Sequence, residues 1–204
     1  MVNDFINRFF ENQIELIKKI SPEIMERMAG IILEAWNNDR TIFIAGNGGS
    51  ASTATHLACD LAKCTIVGSK KRLRVLSLTD NIPLVSAWTN DNGFAVIYEE
   101  QLKNLMHDND MLIVFSVHGG SGEGEAGAWS QNLPRAVEYV KKRNGKVLAF
   151  SGFGGGFIAR NADECITIAI ESEPLGTPLV ESLHSALAHL LAQCVRIRIE
   201  KAAG

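Results

Sequence analysis

The 204 residues hold only four cysteines, Cys59, Cys64, Cys165 and Cys194, and no two of them form a C-x-x-C pair. Thiols scattered through segments that read as regular structure argue against a disulfide framework and for reduced side chains in a cytoplasmic protein. No stretch approaches the roughly 18 consecutive apolar residues that a membrane-crossing helix needs. The opening MVNDFINRFFENQIELIKKI also lacks the basic start and unbroken apolar segment of a secretory signal. An excess of one charge is missing too. With 20 basic and 23 acidic side chains the net charge is −3, which gives no general attraction to nucleic acid or to an anionic membrane. Any anion site must therefore be local. No repeat, low-complexity tract or linker divides the chain, and 46% hydrophobic residues can fill a substantial core. One domain over residues 1–204 is expected, with a helical extension at 1–38.

What is present is concentrated in Thr41 to Lys63, TIFIAGNGGSASTATHLACDLAK. A β-branched and aromatic run meets Gly46, Asn47, Gly48, Gly49 and Ser50, and a helical segment follows. Small residues between a strand and a helix let backbone N–H groups close around an anion, and the helix dipole adds positive potential. Phosphate is the first ligand such a stretch suggests. The pattern G-x-x-x-x-G-K-[ST] is absent, which disfavours a nucleotide P-loop.

Before this stretch, Ile6, Phe9, Phe10, Ile14 and Ile17 fall near helical spacing over residues 3–20. Ser21-Pro22-Glu23 opens a second helix with Met25, Met28, Ile32 and Trp36 on one face. These helices carry more apolar surface than one layer need bury, so they predict subunit packing, with an intrachain core as the alternative. After it, strands are expected at Arg72 to Leu78, Met111 to Ser116, Val147 to Ser151 and Cys165 to Ile170. Helices are expected at Ile82 to Trp88, Phe94 to Asn104, Leu133 to Arg143 and from Thr177 to about Lys201, with a turn at Thr89 to Gly93. The alternation implies an α/β fold, a five-stranded parallel sheet flanked by helices in a flavodoxin-like three-layer sandwich. Ligands of such sheets gather beyond the carboxyl ends of the strands. The glycine-rich stretches His118 to Gly127 and Gly152 to Gly156 fall at that edge as well.

His56 and Asp60 stand at i and i+4 and so share a helix face. Glu181 and His189, eight residues apart on the last helix, point roughly the same way. Two imidazoles and two carboxylates suit a divalent cation such as zinc, and the same four groups also suit a satisfied polar interface between helices. His184 reads as an acid/base group or a core histidine, and His118 as an exposed loop residue or a substrate contact. Serines and backbone amides without lysine, at Asn47 to Ser50 and Ser116 to Ser121, suit a phosphate monoester of a small polyol.

Five separated motifs, AGNGGSASTATHLACDL, SLTDNIPLVSAWTNDNGF, FSVHGGS, SGFGGG and TPLVESLHSALAHLL, resemble the sugar isomerase (SIS) domain family, and within it the phosphoheptose (sedoheptulose 7-phosphate) isomerases. The resemblance implies a homotetramer with active sites between subunits. It also implies aldose–ketose isomerisation of a phosphorylated sugar through an enediol, often with zinc. By position it implies His56, Asp60, Glu181 and His189 as metal ligands, with Asp60 and His189 as acid/base candidates. Asn47, Gly48 and Ser50 fall on the nest, and Ser116, His118, Gly119 and Ser121 on the phosphate loop. Asp80, Asn90 and Asp91 match polar positions near the sugar. The chain departs from the family at several of these. Asp60 stands for the usual Glu, Glu181 for Gln, Val117 and His118 for Thr and Ser, and Cys64 for a common Arg, and the loop after Ser121 is long. The substrate therefore need not be the standard heptose. Non-catalytic relatives that bind a replication initiator or sense phosphosugars supply the alternative function. No nucleic-acid or membrane partner is expected.

Overall fold

The computed structural model describes residues 1–120, 130–171 and 175–202. Ser121 and the remainder of the long segment after it, to residue 129, lie outside the described residues. Five strands, β1 (Thr41–Gly46), β2 (Arg74–Ser77), β3 (Met111–Ser116), β4 (Lys146–Gly152) and β5 (Glu164–Ile168), form one sheet in the order β2-β1-β3-β4-β5. Every pairing is parallel, as the alternation of strand and helix requires. Side chains alternate between the two faces of each strand. Ile42, Ile44, Met111, Ile113, Phe115, Leu148 and Phe150 enter one layer, and Phe43, Ala45, Leu112, Val114, Val147 and Ala149 enter the other.

The first layer is covered by α1 (Val2–Lys18), α2 (Pro22–Asn37), α3 (Gly49–Lys63) and α8 (Gly176–Lys201). Phe115 and Phe150 stack there with centroids 4.6 Å apart, both fully buried. Burial of each such ring is worth on the order of 1.5–3 kcal/mol. The second layer is covered by α5 (Ile97–Leu105), α6 (Asn132–Lys142) and α7 (Gly156–Asn161). At the start of α2 the Ser21 hydroxyl accepts from the Glu23 N–H at 3.2 Å, with Pro22 in the first turn where its missing donor does no harm. Among the described residues no helix is long and apolar enough to cross a membrane.

Two local readings give way to tertiary context. Thr89 to Gly93 is mostly not a turn: α4 (Ile82–Asn92) runs through it and stops at Gly93, whose φ is +88°. The Thr89 hydroxyl bonds back to the Val85 carbonyl at 2.8 Å, so it is satisfied inside the helix instead of breaking it. The helix expected from Phe94 begins as a 3-10 turn, Phe94–Val96, before α5. β2 is shorter than expected because it is an edge strand paired on one side only, over Thr41 to Ile44.

At the carboxyl edge the glycine-rich turns are packed against backbone. A side chain at Gly46 would meet the Ser50 carbonyl at 2.5 Å, and one at Gly119 would collide with the Gly155 carbonyl. The turns after β1, β3 and β4 thus form one dense rim. Beneath it α3 and α8 run parallel. Gly49 faces Glu181, Asp60 faces His189, and the Arg196 guanidinium donates to the Cys64 carbonyl at 3.0 Å.

Candidate functional site

Asn47, Ser50, Ser116, His118, Ser130 and Glu181 line a cleft of about 140 Å³ at that rim. Ser50 and Ser116 are buried, which is tolerable for a hydroxyl only when something in the cleft or the backbone pairs with it. Asn47 is held from behind. Its amide exchanges two hydrogen bonds with that of Asn132, at 3.0 and 2.8 Å, and Asn132 is completely buried at the start of α6. The Tyr98 hydroxyl donates to the Gly46 carbonyl, and burial pushes its pKa well above the usual phenol range, so it remains a neutral donor. Gly48, at φ +56°, and Gly119, at φ +70°, complete the turns on either side. The Glu181 carboxylate lies flat against Gly49, where a side chain would come within 2.5 Å of both its oxygens.

Further down the same helix pair, ligand atoms of His56, Asp60 and His189 lie within 4.8 Å of one another. His189 Nδ1 is 2.7 Å from one Asp60 oxygen, and His56 Nε2 is 3.8 Å from the other. The two imidazoles meet edge to face with centroids 4.5 Å apart. Asp60 is largely covered, at 14% side-chain exposure, while the imidazoles are about half exposed, at 55% and 51%, so the carboxylate is the fixed centre of the group. The Cys64 thiol donates to Asp60 at 3.7 Å, and burial followed by the Asp60 charge pushes its pKa up, keeping it a thiol. Glu181 does not join this group. It lies eight residues earlier on α8, roughly 12 Å of helix rise away, and belongs to the cleft.

Other candidate residues have structural partners. One Asp80 oxygen accepts from Ser77 at 3.0 Å, Thr79 at 3.1 Å and Thr55, which ties the end of β2 to α3 one residue before His56. Asn90 and Asp91 bond to each other at 2.8 Å in the exposed last turn of α4 and line neither the cleft nor the His56 group. His184 is a core histidine. It packs against the stacked pair Phe115 and Phe150, with centroids 6.0 and 5.9 Å away, and its Nε2 is 3.0 Å from the Ser151 carbonyl. Desolvation lowers its pKa to about 4, so the ring is neutral and Nε2 carries the donated proton.

Sequence reasoning passed over Ser130, Asn132 and Tyr98. Ser130 lines the cleft and its carbonyl accepts from Leu133, opening α6. A serine two residues before an asparagine at a helix start was the available signal, masked by the nearer Ser121. Tyr98 and Asn132 carried no signal, because their partner Asn47 is 51 and 85 residues away in sequence.

Fold and site define a three-layer α/β protein with a small polar cleft at the carboxyl edge of its sheet and a histidine–carboxylate group below it. Residues 7–152 match the SIS domain, and the chain belongs to that family. It is 45% identical over 176 residues to lincomycin biosynthesis protein LmbN of Streptomyces lincolnensis, covering 86% of this chain and 63% of that protein, so it spans less than two thirds of that relative. It is 28% identical to the phosphoheptose isomerase of Helicobacter pylori strain P12 over 96% of both chains. The structure of phosphoheptose isomerase GmhA from Neisseria gonorrhoeae superposes with a TM-score of 0.79 at 26% identity, covering 96% of this chain and 98% of that one.

Proposed function

We propose that the chain is a phosphosugar isomerase of the phosphoheptose type, interconverting an aldose phosphate and a ketose phosphate through an enediol. The observation that carries this reading is the convergence of His56, Asp60 and His189 within 4.8 Å, on the two helices that also supply Ser50 and Glu181 to the cleft. Support also comes from the full-length similarity to the Helicobacter pylori phosphoheptose isomerase.

The donor set fits zinc or a similar divalent cation. Two imidazoles and a carboxylate, half open to solvent, match three protein ligands with positions left for a substrate. His56, Asp60 and His189 would hold the ion, with Glu181 a fourth candidate only if its side chain leaves Gly49. Bound there, the metal would polarise the sugar's carbonyl oxygen. Ser50, Ser116 and Ser130, with the amides of Gly48 to Ser50 and Gly119, bind the phosphate. Asn47, held by Asn132, presents an amide to the sugar, and Asp80 fixes α3 so that His56 stays in register. One protein group removes the proton from the first or second carbon and returns it to the other. A nitrogen that ligates metal cannot also take a proton, so this falls to whichever of Asp60 and His189 keeps an atom free.

Self-association into a tetramer belongs to the same proposal. Phe5, Ile6, Phe10, Ile14 and Ile17 are 41–57% exposed on α1, an apolar stripe that needs a cover. A monomer mass by light scattering would refute it. The function is tested by a panel of aldose and ketose phosphates in deuterated water. Solvent deuterium should enter at the first or second carbon of one of them, and one divalent metal per chain should accompany the active protein. No exchange with any phosphosugar and no bound metal would favour a sensor or adaptor instead.

A further inference from the structure

We infer that Phe153 is a positioning residue for His118 and, through it, sets how tightly the cleft holds a phosphate group. The inference rests on the phosphosugar reading of the cleft. The described lining offers hydroxyls, amides and the Glu181 carboxylate but no lysine or arginine. A phosphate gains from a directed donor, and among these residues His118 supplies the one imidazole ring N–H. An exposed loop imidazole would ordinarily sample several rotamers, and ordering it costs side-chain entropy.

His118 has its ordering built in. Its ring lies on that of Phe153 with centroids 4.5 Å apart and planes at 33°. The Phe153 ring also covers Gly176 at the start of α8, where a side chain would come within 2.5 Å of it. The Phe153 N–H donates to the Ile168 carbonyl at the end of β5, at 3.0 Å. One aromatic ring therefore ties together the turn after β3, the turn after β4 and the start of α8.

Its backbone shows that this placement is imposed. Phe153 sits at φ +51°, a left-handed conformation that bulky residues avoid. It does so inside SGFGGG, among glycines that adopt such angles freely. A bulky residue kept in that conformation is held by its contacts, and strain of this kind collects at functional sites. The contacts here are His118 on one side and Gly176 on the other.

The test uses inorganic phosphate titrated into the full chain and followed by calorimetry. Phe153→Gly removes the ring and also the left-handed strain, so the backbone can keep its course. Phe153→Gly and His118→Asn should each weaken phosphate binding roughly tenfold, the size of one lost hydrogen bond. Phe153→Tyr, which keeps the ring, should stay within about twofold of the unaltered chain. The double variant should bind no more weakly than His118→Asn alone, because two residues acting through one contact are not additive. Undiminished binding by Phe153→Gly, or fully additive losses, would overturn the inference and leave the phosphate cleft standing. An unaltered chain that binds no phosphate would instead overturn the reading of the cleft, and this inference with it.

Discussion

His184 and His189 sit five residues apart on α8 and face opposite ways. The inward one is 1% exposed, packs against two stacked phenylalanine rings and meets a single backbone carbonyl. The outward one is half exposed and shares a carboxylate with a second imidazole. Identical side chains on one helix thus become a neutral core residue and a solvent-facing polar group paired with a carboxylate. Burial sets the first, because moving a charge into that layer costs more than one hydrogen bond returns. A carboxylate held by α3 sets the second.

The largest effect should come from breaking the outward side. His189→Ala should lower turnover of the phosphosugar substrate by about a hundred- to ten-thousandfold, the usual contribution of an acid/base group. Unfolding free energy should move by less than roughly 0.5 kcal/mol, as for an exposed side chain. Chemical denaturation alongside initial rates checks both halves, and a variant that is destabilised and still active would reverse the assignment of the two histidines.

The inward side predicts a dependence on pH and not on substrate. In the unfolded chain His184 takes up a proton near its ordinary value of 6.5, and in the folded chain only near 4. Protonation therefore favours unfolding. The stabilising share of the buried ring is intact above pH 6.5, declines across the interval, and is fully lost below about pH 4. The total is on the order of 3 kcal/mol. His184→Leu should remove this part of the slope when urea unfolding is compared at pH 7 and pH 5. An unchanged slope in that variant would mean the ring is not the group that resists charging.

How much of this was legible depends on how far apart the partners lie. The nearly all-apolar β3 could be read to the residue, and β1, expected at Thr41 to Ala45, to within one, since both are buried on two faces. Ser21-Pro22 placed the start of α2. Asn and Asp before Gly93 announced a stop one turn too early, because in α4 the helix satisfies Thr89 and only the glycine ends it. His56 and Asp60 were visible as a pair, being local to one helix. Their meeting with His189, 129 residues from Asp60, has no periodic signature: residue chemistry offered it beside a plain polar helix interface, and the resemblance of separated motifs favoured it. The same distance hid Asn132 behind Asn47 and Phe153 beneath His118.

The smallest effect should come from the cleft, where the proposed phosphate would be shared among several donors. Ser130 lines it beside Gly120, and a side chain at Gly120 would reach Pro134 at 2.9 Å and the Ser130 carbonyl at 3.7 Å. Gly120 and Ser130 therefore stand side by side at the rim. The Ser130 hydroxyl, just before α6, is placed to serve an anion bound in the proposed phosphate cleft. Ser130→Ala should raise KM for the phosphorylated substrate about three- to tenfold, the range of one neutral hydrogen bond, with kcat nearly unchanged. Binding of the dephosphorylated sugar should not move. Equal losses for the phosphorylated and dephosphorylated sugars would take Ser130 out of the phosphate site and leave it as the residue whose carbonyl opens α6.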